Sequence, residues 1–134
     1  MSEELKNVMF KAMTHDHKKW VFGYYVGVGQ MLFKTPQMVL PDKRDLTMVA
    51  IDPDTLCVYT GFCDTKYIPI YTNDILEYED EDGNVVRVKV LFEDGAICTC
   101  EKDCVADYMD STFIDLTKPK VVGNMLNLVE SERW

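Results

Sequence analysis

The feature that most constrains this chain is a run of alternation: Val86, Val88, Val90 and Phe92 are separated by Arg87, Lys89 and Leu91. Successive side chains of an extended backbone point to opposite faces, so this spacing gathers four apolar groups on one side and both cations on the other. It predicts a strand with one face on a core and the other partly in water. Ile75 to Glu79 also reads as extended, and the intervening Asp80-Glu81-Asp82-Gly83-Asn84 carries an Asp-Gly step, a strong hairpin signal. A second turn, Glu93-Asp94-Gly95, leads into Ala96-Ile97-Cys98-Thr99-Cys100. Together these segments predict a three-stranded antiparallel meander.

The same period recurs upstream. Val8 to Met13 and Lys19 to Tyr25 flank the polar run Thr14 to Lys18, a second hairpin pattern. In its second arm Trp20, Phe22 and Tyr24 alternate, as a core face requires. Gly23, Gly27 and Gly29 predict an irregular path from there to Thr35-Pro36. Leu46 to Ile51 predicts a strand ended by a turn at Asp52-Pro53-Asp54, with extended chain resuming from Thr55 to Thr60. One helix is expected, between Lys102 and Leu116, where Val105, Tyr108, Met109 and Phe113 fall at three- and four-residue intervals and Asp103 near the start suits the dipole. Val121 to Leu128 predicts a last strand with a Gly-Asn bend. No repeat or low-complexity linker divides the 134 residues, so a single compact domain is expected.

Charge narrows the function. Lys plus Arg number 14 and Asp plus Glu 23, a formal charge of −9, and from Glu77 to Asp103 nine acids face three bases. Such an excess repels phosphate at long range, so direct nucleic-acid binding is not expected. The opening Met1-Ser2-Glu3-Glu4 carries acid where an export signal has base, and the longest apolar stretches, about nine residues and broken by glycine, fall short of the ~20 of a membrane helix. The expectation is a cytoplasmic protein with no membrane partner. Five cysteines then read as reduced thiols, Cys57, Cys63, Cys98, Cys100 and Cys104, without disulfides.

Each reactive-looking cluster has a plainer counterpart. Cys98, Cys100 and Cys104 are candidate zinc ligands, with Cys57, Cys63, His15 or His17 as a fourth, but Cys98 and Cys100 also share one strand face as a buried stripe would, and that reading is preferred. His15-Asp16-His17 suits a metal or a proton shuttle, yet lies in a turn open to water. Nothing accompanies it that a Cys–His nucleophile needs, so an enzyme is not expected, nor a cofactor. Glu79, Asp80, Glu81 and Asp82 lack the spacing of a calcium loop. They remain interaction candidates, either imitating the phosphate charge of DNA or keeping a sheet edge soluble. The aromatics beside Lys18 and Lys19 could stack on single-stranded nucleic acid, with core packing preferred. Trp134, exposed by position, is a further interaction candidate.

Val58-Tyr59-Thr60-Gly61-Phe62-Cys63-Asp64-Thr65-Lys66-Tyr67-Ile68-Pro69-Ile70-Tyr71-Thr72-Asn73-Asp74-Ile75 resembles, without a gap, the central signature of the YopX family of phage and prophage proteins, Q-Y-T-G-L-x-D-x-N-G-x-x-I-Y-E-G-D-I-V. Phe10-Lys11-Ala12-Met13 is similar to its F-R-A-W, Val90-x-Phe92 with Gly95 to its V-x-F-x-x-G, and Val121-Val122-Gly123-Asn124-Met125 to its V-I-G-N-I. The resemblance implies a mainly β, α+β fold, an N-terminal α+β part over residues 1–56 followed by a small SH3-like antiparallel barrel over 57–130. It implies no enzymatic activity, cofactor or catalytic set. Gly61, Asp64, Asn73 and Asp74 are the expected turn and strand-start residues. Lys66-Tyr67 replaces the family's Asn-Gly and predicts a turn of different shape, whereas Asn73, tolerant of left-handed backbone, can keep the bend that Gly gives in relatives. Asp74 is expected to bond neighbouring amides and start the strand at Ile75. The function expected is a non-enzymatic protein-interaction module with an unknown protein partner, forming a homo-oligomer in the host bacterial cytoplasm. The alternative is an acidic DNA mimic or regulator of a host nucleic-acid enzyme.

Overall fold

A computed structural model describes residues 10–26, 37–40, 47–102 and 106–134. The chain divides into two compact units, Met1–Tyr59 and Thr60–Trp134. The sequence reading puts its own division between residues 56 and 57. Among the described residues there are eleven strands and one α-helix, so the fold is mainly β.

In the first unit β1 (Phe10–Met13), β2 (Trp20–Val26), β3 (Gln37–Leu40) and β4 (Thr47–Ala50) form the antiparallel row β4-β3-β2-β1. β1 also pairs with the first residues of β5 (Cys57–Cys63), Phe10 opposite Val58 and Lys11 opposite Cys57. The expected hairpin at Thr14–Lys18 is present, closed by Thr14 N donating to Lys19 O at 2.9 Å. Ala12, Val21, Met38 and Ile51 form the buried core, with Phe10, Tyr25, Val49 and Leu56 packed on it. This overturns the expected core face. Register sets Val21 opposite Ala12 and Gly23 opposite Phe10, so Trp20, Phe22 and Tyr24 lie on the other face, Tyr24 being 53% exposed. Alternation fixes which residues share a face but not which face is covered; here the covered face carries Val21 opposite Ala12 and Gly23 opposite Phe10. Gly23 is also regular strand rather than the start of an irregular path. On the same face the Phe10 and Tyr25 rings have centroids 6.2 Å apart. Residues 27–36 lie outside the described set, as do Leu46 and the N-terminal residues of the first hairpin arm.

The Leu46–Ile51 strand is observed as β4, and Ile51 bridges Thr14. Beyond it Pro53–Thr55 forms a 3-10 turn with Asp52 as its cap and Pro53 at its start, where a missing N–H costs nothing. Thr55 therefore belongs to the turn rather than to extended chain. Its buried hydroxyl accepts from Met13 N at 2.8 Å and donates to Asp52 O at 2.7 Å.

The second unit holds the rest of β5 beside β6 (Pro69–Tyr71), and a five-stranded antiparallel row β10-β9-β8-β7-β11. Its strands are β7 (Asp74–Glu79), β8 (Val85–Glu93), β9 (Ala96–Cys100), β10 (Asp107–Tyr108) and β11 (Lys120–Asn124). The predicted meander is thus present. Asp94 and Gly95, at φ 51° and 80°, form the two-residue turn between paired Glu93 and Ala96, the left-handed pair that matches strand twist. Ile70, Leu76, Val88, Val90 and Met109 are the core.

The helix predicted over Lys102–Leu116 is shorter: α1 spans Ser111–Thr117. Asp107 and Tyr108 instead pair with Thr99 and Cys98, since the β9 edge offers backbone partners that a helix would forgo. Asp110 then caps α1, its side chain accepting from Phe113 N at 3.0 Å. The last strand likewise ends early, at Asn124, whose side chain caps a 3-10 turn over Met125–Asn127. A register shift lies between Val121 and Gly123. Both rows of strands are open, each ending on two separate edges, so the SH3-like expectation meets open antiparallel sheets here. Among the described residues of 1–56 there are strands and a 3-10 turn but no α-helix.

Candidate functional site

The central motif folds around two buried carboxylates. Asp64, 5% exposed, accepts through Oδ1 from Lys66 N at 2.8 Å and Ile68 N at 2.9 Å, and through Oδ2 from Val121 N at 3.0 Å. Asp64 N donates to Ile68 O at 2.9 Å, and Tyr67 N to Asp64 O at 3.0 Å. In this turn Tyr67 takes φ 62°, the left-handed backbone for which glycine is favoured. The carboxylate gathers amides from both sides of Tyr67 and so holds a conformation the residue itself disfavours.

Asp74, 1% exposed, accepts from Tyr71 N at 2.8 Å and from the Asn124 amide at 2.9 Å. Asn73 beside it has φ 71°, donates to Val90 O at 2.7 Å and accepts from Met125 N at 2.7 Å. β7 begins at Asp74 itself. Two acids ten residues apart thus tie the motif to both ends of β11. Asn124 and Val121 are their partners, which sequence reasoning did not pair with them. The Val-Val-Gly-Asn segment was the available signal. Gly61, at φ 87°, lies within β5 with open space where a Cβ would stand.

The acidic tip is organised from within. Asp80 Oδ1 accepts from Asp82 N at 2.9 Å and Asn84 N at 2.8 Å, while Glu79, Glu81 and Asp82 are exposed. One of the four acids therefore shapes the turn and does not offer a free carboxylate oxygen set for an ion.

Two of the thiols share a strand. Cys98 is buried and Cys100 half-buried on one face of β9, while Cys57 lies in the first unit. Burial, reinforced by Glu93, Asp94 and Asp107, pushes the Cys98 thiol up, away from the thiolate a metal needs. Cys104 lies outside the described residues. No group of three or more His, Cys, Asp or Glu able to hold a metal occurs among the described residues. Trp134 is half-buried: its indole N–H donates to Cys100 O at 3.3 Å, and its backbone oxygen accepts from Lys89 Nζ.

In the first unit His17, at φ 60°, bonds Asp52. The His17 ring holds the Asp52 carboxyl below the ordinary carboxylate range, with Asp54 N–H assisting. Asp16 is lowered by the Thr14 hydroxyl and Lys18 N. Lys11 Nζ lies 5.0 Å from the centre of the Trp20 ring. His15 is exposed and its backbone N bonds Ala50 O at 3.1 Å.

These features define a mainly β protein whose buried ionisable groups hold turns together. A family model described as YopX protein matches residues 9–127, and the chain belongs to the YopX family. No curated protein and no solved structure matches it. No helix among the described residues is long and apolar enough to cross a membrane.

Proposed function

We propose that the chain is a non-enzymatic protein-interaction module of phage or prophage origin, working in the host bacterial cytoplasm and assembling as a homo-oligomer. The observation that carries this reading is where its polar chemistry goes. Asp64 and Asp74 are engaged by backbone and amide groups, while Tyr67, Phe92, Tyr108 and Leu116 stand between 62% and 79% exposed. Large apolar groups in water favour association. The five-stranded row with its two-residue turn supports reading the second unit as the family's SH3-like part. Size-exclusion chromatography with light scattering is expected to give one defined oligomer; a monomer at high concentration would remove self-association. Near-stoichiometric zinc in purified protein would favour an enzyme over this reading.

A second reading, an acidic DNA mimic or regulator of a host nucleic-acid enzyme, is favoured by the exposed Glu79, Asp80, Glu81 and Asp82 at a hydrogen-bonded tip. It expects capture of a DNA-binding protein that is lost in high salt, because exposed charges are screened.

A further inference from the structure

We propose that residues 129–134 are an exchangeable strap: in a dimer, each copy lays this segment across the outer sheet face of the other, in place of its own. The proposal rests on the homo-oligomer reading and gives it a contact surface. Pairing lines up Gly123, Ile75, Lys89 and Cys100 across β11, β7, β8 and β9. Residues directly opposite share a face, and the alternate positions Leu76, Val88 and Val90 belong to the core, so this row lies on the outer side of the sheet.

Four observations point to a second copy's strap as the occupant. The first is that the face already shows what it accepts. The Trp134 indole N–H donates to Cys100 O at 3.3 Å, and the Trp134 backbone oxygen accepts from Lys89 Nζ. Both bonds form equally well whichever copy supplies the strap, so exchange between identical chains sacrifices neither. The second is a hinge. Leu128 and Val129 are extended, at ψ 150° and 153°, between the 3-10 turns Met125–Asn127 and Glu130–Glu132, and no side chain caps the second turn. Opening breaks the bonds of the exposed Arg133 to Leu128 O and Leu126 O, which water replaces. The third is incomplete seating within one chain. A cleft of about 550 Å³, against the ~30 Å³ share of one water, remains between strap and sheet, lined by Ile75, Arg87, Val122, Leu128 and Trp134, and a second chain's side chains have room to fill it. The fourth is sign: the sheet face carries Arg87 and Lys89 and the strap carries Glu130 and Glu132, so opposite charges meet in a chain that is otherwise strongly acidic. Reach is sufficient. Seven residues from Leu128 extend up to ~23 Å, whereas three strand spacings cover about 14 Å.

The test combines light scattering with amide NMR on the full chain. The parent is expected to be a dimer. Trp134→Phe, which keeps a ring but lacks the N–H, should associate about fivefold more weakly, and Trp134→Ala should be a monomer whose spectrum away from the strap is unchanged. Complementation then isolates the exchange. Isotope-labelled Trp134→Ala has an intact face and no anchor, while unlabelled Lys89→Glu has an intact strap and a damaged face. Each alone is expected to be a monomer. Mixed, they should pair and shift the Ile75, Lys89 and Cys100 amides of the labelled chain, whereas added unlabelled Trp134→Ala should shift nothing. If Trp134→Ala does not fold, the weaker association of Trp134→Phe decides, since a strap held within one chain would leave association unchanged. A Trp134→Ala chain that remains a dimer, or labelled amides unmoved by Lys89→Glu, would overturn strap exchange and leave self-association to another surface. A parent that is monomeric at high concentration would overturn both.

Discussion

Tyr67 occupies left-handed backbone, which costs a residue bearing a Cβ about 1–2 kcal/mol. Its ring is 78% exposed, so packing repays little of that cost. Tyr67→Gly is therefore expected to stabilise the protein by up to ~1 kcal/mol, the strain relief being partly offset by added freedom in the unfolded chain. A raised urea midpoint with unchanged slope would show it, and a lowered midpoint would mean that the ring itself contributes. Asp64 is the counterpart. Asp64→Ala leaves three amides without their acceptor, and a loss of at least ~3 kcal/mol is expected, measured in the same way.

At the scale of elements, Gly95 lies at φ 80° in the β8–β9 turn. Nothing stands within 4 Å of where its Cβ would be, so Gly95→Ala tests backbone strain without a clash. It should cost about 1 kcal/mol in thermal unfolding. The elements themselves were unevenly legible. The meander over Ile75–Cys100 was readable because alternation and Asp-Gly turns are local signals. The choice between faces in β2 was not, since Trp20 and Phe22 outrank Val21 in apolar area, and only pairing with Ala12 reveals the covered side. The helix was overextended because Tyr108 satisfies a helical interval equally well as a strand edge. Of the site, Asp74 and Asn73 were legible through the family resemblance, with turn chemistry explaining how Asn can stand where relatives have Gly. The bonds of Asp64 to Val121 and of Asp74 to Asn124 span more than 45 residues, and no local rule pairs such positions.

Over the whole molecule, charge sets the response to solvent. With a formal charge of −9, self-repulsion opposes compactness at low ionic strength. Raising salt from about 0.01 M to about 0.3 M shortens the Debye length from ~30 Å to below 8 Å, and the melting temperature is expected to rise. Acid works differently. Asp52 and Asp16 have folded pKa values below their usual 3.8, so the stability they contribute is present above that value and disappears as pH falls through the lowered one. Denaturation midpoints followed from about pH 5 to about pH 2 should fall, and Asp52→Asn should flatten that acid limb. A parallel fall in the variant would assign the acid sensitivity to other carboxylates.

The two tryptophans fall in different units: Trp20 lies under the Lys11 ammonium in the first, and Trp134 donates its indole N–H to Cys100 O in the second. Each half of the chain therefore carries its own built-in optical reporter. Changing one indole to phenylalanine at a time would let emission colour tell whether the halves melt as one transition or in sequence.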